Sequence, residues 1–174
     1  SISNVISGIT SSIGDLISMS KVESIIKIRS ILFKSNIVIG LSISTYFFLF
    51  NSHFIEIWVG KDNFLGIYEN YIFCLVAIFV IFTSSDEIFI NSYEFYSFKS
   101  KIITISMIIG LFASFLLNSY LSILGIALGY LVSKIFQFYS YQKELNKHIR
   151  ISYSYIIFSM SKIIIFFISL IAIS

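Results

Sequence analysis

From Lys101 to Lys134 the chain reads KIITISMIIGLFASFLLNSYLSILGIALGYLVSK, with 32 uncharged residues between the two lysines. Backbone polar groups in lipid must be satisfied within their own segment, so a run this apolar and this long is helical. As one helix it would measure ~48 Å at 1.5 Å per residue, too long for a hydrocarbon core of ~30 Å. Asn118, Ser119, Tyr120 and Gly125 offer a break. The stretch predicts two crossings, near 102–119 and 122–141, joined by a very short turn, and so an all-α, polytopic transmembrane helix bundle.

The rest of the chain agrees. Residues 35–55 carry no formal charge, and residues 70–85 carry none before apolar character resumes through Ile88, Phe89 and Ile90 to Phe98. These predict spans near 36–59 and 68–98. A fifth apolar stretch, 151–174, is interrupted by Lys162 and reads as one span or as a surface segment followed by part of one. Ahead of them, 1–34 reads as an amphipathic helix: Ile2, Val5, Ile6, Ile9, Ile13, Leu16 and Ile17 follow a helical period, with Ser1, Asn4, Gly8, Ser11, Ser12 and Asp15 opposite. Its small polar face either lines a water-filled cavity or lies on the membrane surface.

Composition closes off other classes. Of 174 residues 57% are hydrophobic and 12% charged, and mean hydropathy is +0.92. A soluble domain carries about twice that charge fraction, and disorder needs low hydrophobicity. The single cysteine, Cys74, excludes a disulfide framework. A net charge of +3 does not imply nucleic acid, because the basic residues are dispersed between apolar runs. Instead they alternate: Lys21, Lys27, Arg29 and Lys34, then Lys99 and Lys101, then Lys143, Lys147 and Arg150 fall on one side of the threading, and Lys61 on the other. That is the asymmetry expected of cytoplasmic loops. The chain opens on Ser1 without a basic leader and closes inside an apolar run, which leads us to expect a segment of a longer protein.

Charged side chains at membrane depth cost ~2.5 to 3.5 kcal/mol each even on lenient insertion scales, so they point to function. Thr83, Ser84, Glu87, Asn91 and Glu94 recur every three or four residues, predicting one polar stripe on an apolar helix, with Asp86 at its edge. The stripe faces a cavity or a protein interior, or else the helix is long and its cytoplasmic third reaches the headgroups. One of the acids, Asp86 or Glu87, would take up a proton if the stripe lines a cavity. Gly125, Gly129 and Ser133 form a small-residue face suited to close helix packing, with Lys134 beside it. Lys134 either meets an anionic group in a cavity or snorkels to the headgroups. Lys162 reads as a boundary lysine. No P-loop, paired-cysteine or hydrolase motif is present, and His53 and His148 lie far in sequence from a second metal ligand, so no metal site, cofactor or enzyme activity is expected.

Four elements resemble the C-terminal half of the polysaccharide flippases of the O-antigen (Wzx) type, within the multidrug/oligosaccharidyl-lipid/polysaccharide exporter superfamily. They are Phe54-Ile55-Glu56-Ile57-Trp58-Val59-Gly60-Lys61-Asp62 closing a span; the basic exit Asn91-Ser92-Tyr93-Glu94-Phe95-Tyr96-Ser97-Phe98-Lys99-Ser100-Lys101; Asn118 before a short turn and Leu124-Gly125-Ile126-Ala127-Leu128-Gly129; and Tyr141-Gln142-Lys143-Glu144-Leu145. The proline usual after the amphipathic helix is absent, and Tyr96-Ser97-Phe98 replaces an alanine-glycine pair. The resemblance implies the second lobe of a two-lobed, alternating-access transporter in the bacterial inner membrane. Such a transporter moves an undecaprenyl-diphosphate-linked oligosaccharide among membrane lipids and works together with the N-terminal half of the same protein; coupling to a proton or to sodium is left open by the sequence. A multidrug exporter of the same superfamily, a polymerase of the same pathway and a structural membrane subunit remain as alternatives, although the polymerases have large outer loops and those here are short.

The threading has a direct test. Single cysteines replacing Lys61 and Lys99 should react with a membrane-impermeant maleimide from opposite sides; labelling of both from one side contradicts it.

Overall fold

The computed structural model describes residues 2–149 with Ser161, Ile165 and Ser169; the side chains of residues 2–7 and of Lys61 lie outside the described set, as does most of the fifth apolar stretch, 151–174, with Lys162. Within residues 2–149 five helices follow one another: α1 (Ile2–Ser18), α2 (Val22–Val59), α3 (Ile67–Ser92), α4 (Tyr96–Leu121) and α5 (Ile123–His148), with a short 3-10 turn at Lys61–Asn63. Four of them, α2 to α5, are long and apolar enough to cross a membrane. The protein is thus an all-α membrane bundle.

The joints differ from those expected. Residues 1–34 are not one amphipathic helix. The chain reverses at Ser20, whose φ of 55° is left-handed, and the Ser20 and Lys21 amides donate to the carbonyls of Ile17 and Leu16 at 2.9 and 3.0 Å. That double closure is the Schellman stop. A second one ends α3 at Ser92, six residues before the expected limit at 98: Glu94 has φ 58°, and the Glu94 and Phe95 amides reach the carbonyls of Asn91 and Ile90, each at 3.0 Å. Helix α4 accordingly begins at Tyr96 rather than 102. Asn118, Ser119 and Tyr120 stay helical, and the break between α4 and α5 is the single residue Ser122, at φ 50° and ψ −130°. Between α2 and α3, by contrast, the positive φ falls on Gly60 and Gly66, where glycine carries no Cβ penalty.

Helix α2 has 38 residues, ~57 Å at helical rise, so its first third, bearing Glu23, Lys27, Arg29 and Lys34, extends past the uncharged span. Successive antiparallel helices bring this end together with the C-termini of α3 and α5 and the N-terminus of α4. It is the basic end of the bundle. Trp58, Tyr68 and Tyr120 are exposed toward the opposite end, where aromatic rings suit a membrane interface.

The core has two tiers. Phe33, Phe48, Cys74, Ile78, Phe82 and Phe138 join α2, α3 and α5 in the first, with Phe82 in ring contact with Phe33 at 5.0 Å and Phe138 at 5.6 Å. Ile13, Ile25, Phe89, Ile90, Tyr141, Leu145 and Ile149 form the second, at the basic end, and bring α1 in. The apolar face of α1 is therefore used for packing, while Ser11 and Asp15 on its other face are exposed.

Helix α4 joins by a different rule. Its buried residues are Ser106 and Gly110, whereas Met107, Ile108, Leu111, Phe112, Phe115 and Leu116 are exposed, as suits a lipid-facing surface. The seam with α5 is made of small residues at backbone contact. A Cβ added at Gly125 would lie 2.6 Å from the Leu117 carbonyl oxygen, one at Gly110 2.7 Å from the Ser133 Cβ, and one at Gly129 against the Ser114 backbone. Gly129→Val should therefore destabilise the bundle by about 2 kcal/mol or more through overpacking, while Gly8→Ala, which meets no atom within 4 Å, should be neutral or slightly stabilising. Thermal unfolding in matched detergent micelles reads both; equal melting temperatures would contradict the seam.

Candidate functional site: a buried relay at the basic end

At the basic end the sequence places two adjacent acids on α3, Asp86 and Glu87, which helical geometry points ~100° apart. Each meets a glutamine of α5. Gln142 donates through Nε2 to Asp86 at 2.7 Å and accepts through Oε1 from the Arg29 guanidinium at 2.7 Å. Gln137 donates through Nε2 to Glu87 at 3.2 Å and accepts through Oε1 from Lys134 at 3.0 Å. The pattern repeats as carboxylate, amide, cation, because a carboxamide carries a donor and an acceptor on one group.

The Arg29 side of this arrangement is deeply buried. Arg29 is 2% exposed, Gln142 3% and Asp86 5%. Arg29 also donates to Asn146 Oδ1 at 3.0 Å and to the Ile149 carbonyl, meeting the backbone just past the end of α5, where a cation is favoured. The Glu87 side is more open. Glu87 pairs with Lys99 at 3.1 Å, Lys99 donates to Asn91 Oδ1 at 3.2 Å, and Gln137 donates to the Tyr141 hydroxyl at 3.0 Å. Lys134 lies 5.5 Å from the centroid of the Tyr130 ring. Tyr130 and Ser133 line a groove between α4 and α5 together with Gly110 and Ser114.

The expected stripe is thus partly dismantled. Glu87 and Asn91 come together through Lys99. Thr83 is buried but turns its hydroxyl back on the Phe79 and Val80 carbonyls of its own helix. Ser84 is exposed, and Glu94, expected on the stripe, leaves the helix as the exposed residue of the stop. Asp86, expected at the edge, is the buried acid. Ser11 and Asp15 stand apart on the exposed face of α1, and the side chain of Asn4 lies outside the described residues. Arg29, one of the cytoplasmic cations of the threading, turns inward onto Gln142, which the sequence marks only as part of a basic exit, and onto Asn146, which it does not mark at all. A signal for Gln142 exists: it shares the helical face of Leu131, Phe138 and Leu145, all buried, so a polar residue interrupts an apolar stripe.

No family profile, curated protein or solved structure matches this chain. Among the described residues no group of His, Cys, Asp or Glu is placed to hold a metal ion.

Proposed function

We propose that this chain is part of a bacterial inner-membrane transporter of the polysaccharide-exporter type, which carries a lipid-linked oligosaccharide with a diphosphate across the bilayer by alternating access. The observation that carries this reading is Lys134. It is a cation within a span, held by an amide and an aromatic ring, and it makes no ion pair with a carboxylate among the described residues. Such a lysine suits an anionic headgroup. The order of sequence elements that resembles the flippases supports the same assignment.

Both acids at the basic end of α3 are already engaged, Asp86 with Gln142 and Glu87 with Lys99 and Gln137. That argues against a cationic drug as cargo, since the acids that would bind it are occupied. It also favours a structural role for Glu87 over proton uptake, with Lys99 rather than Lys134 as its cation. Transport of this kind breaks no covalent bond. What the protein supplies is a polar route for a headgroup whose charge is otherwise excluded from hydrocarbon.

In cells dependent on the whole protein, Lys134→Ala should lower export of lipid-linked repeat units at least about tenfold, the factor corresponding to loss of a charge-assisted contact, with membrane levels unchanged. Lys134→Arg should retain most of the export. Wild-type export by Lys134→Ala would assign Lys134 to snorkelling and remove the main support for this reading.

A further inference from the structure

The two ends of the α2 contact are built from different chemistry. In the half away from the basic end, α2 and α3 are tied through backbone carbonyls: the Ser44 hydroxyl donates to the Cys74 carbonyl at 3.2 Å, the Cys74 thiol to the Ser44 carbonyl at 3.4 Å, and the Asn70 amide to the Phe48 carbonyl at 3.1 Å. Asn51 adds a bond to Asn70 at 3.0 Å. These bonds are short-armed and uncharged.

At the basic end an apolar tier that includes Ile25 is supplemented by a tie that is long-armed and charged. Helix α2 packs on α3 and barely approaches α5 through its backbone, yet Arg29 reaches three α5-side groups, Gln142, Asn146 and the Ile149 carbonyl. Helices α3, α4 and α5 are joined by turns of one to three residues, and α4 and α5 share the backbone-contact seam. They form one block against which α2 can move. A purely structural tie of this kind is a poor choice, because burying a guanidinium and a carboxylate costs more desolvation than well-packed apolar side chains of the same volume. Groups that also meet water when the helices part have a second favourable state, and apolar ones do not.

We propose that the Arg29–Gln142–Asp86 relay is a latch: intact, it holds α2 against the α3–α5 block, and when it parts α2 swings about the Ser44–Cys74 contact, opening the basic end while the opposite end stays closed. Gln142 is the positioning residue of this latch, since one side chain meets both charged partners. The inference concerns movement inside this bundle, and it stands whatever the cargo is.

Double electron-electron resonance on the protein in lipid nanodiscs tests it. One spin-label pair, Lys27→Cys with Lys143→Cys, reports the basic end; a second, Phe54→Cys with Tyr68→Cys, reports the other. All four positions are exposed, and Cys74 is buried. Gln142→Leu should create or enlarge a population longer on the order of 5 Å or more at the basic end, raising the open-to-closed ratio about tenfold or more, with the second pair unmoved. Arg29→Gln should act in the same direction and decides the matter if Gln142→Leu fails to insert. Unchanged distances at the basic end, or equal widening at both ends, would overturn the latch.

Discussion

An arginine and an aspartate buried at the edge of a membrane bundle each carry a desolvation penalty of several kcal/mol, which only good hydrogen bonding offsets. Here the offset comes from α5. Gln142 meets both charges, and Asn146 and the Ile149 carbonyl take further donors of the guanidinium. Because the partners come from α2, α3 and α5, those helices satisfy one another's charges only in this register. The second core tier, with Ile25, Phe89, Ile90, Tyr141 and Leu145, packs beside the relay and excludes water from it. Removing one member would leave its partners buried without their hydrogen bonds, which costs more than the bond itself was worth.

The remaining helix follows from a separate constraint. In lipid no hydrophobic force drives helices together, so α4 associates by close approach instead. Gly110, Gly125 and Gly129 permit backbone contact along the seam, and the Ser114 hydroxyl donates to the Ile126 carbonyl at 3.2 Å. Helix α4 then shows its large side chains to the surroundings and touches α3 little, the links beside their turn being Lys99 to Glu87 and Asn91. The crevice this leaves between α4 and α5 is lined by Gly110, Ser114, Ile126, Tyr130 and Ser133, and Lys134 lies beside the Tyr130 ring. Packing by small residues and this largely apolar crevice are therefore two results of the same arrangement.

The helical membrane class, the short joint between α4 and α5 and the packing face at Gly125, Gly129 and Ser133 were legible because length, charge gaps and small-residue spacing are local properties. The two stops at Ser20 and Glu94 were not. Left-handed helix ends favour glycine, and with serine and glutamate there the sequence carries no mark of a break, so 1–34 read as one region and the polar stripe ran on to Glu94. The relay was hidden for another reason. Arg29 belongs to a group of cations that a topology rule already explains, and only its distance of 117 residues from Asn146 in sequence, closed by folding, shows that it faces inward. Asp86 and Glu87 were visible as costly charges, but which of them would be buried depended on where α5 places its two amides.

The relay itself is open to direct measurement. The chain contains two arginines and two glutamines, so a protein labelled with guanidino nitrogen-15 in arginine and side-chain carbonyl carbon-13 in glutamine has few competing pairs in a bilayer sample. Solid-state dipolar recoupling should give a strong nitrogen-carbon contact matching the 2.7 Å hydrogen bond between the Arg29 guanidinium and Gln142 Oε1, and it should vanish in Gln142→Leu. Absence of that contact in the unsubstituted protein, with the Arg29 signal in rapid exchange with water, would contradict the account.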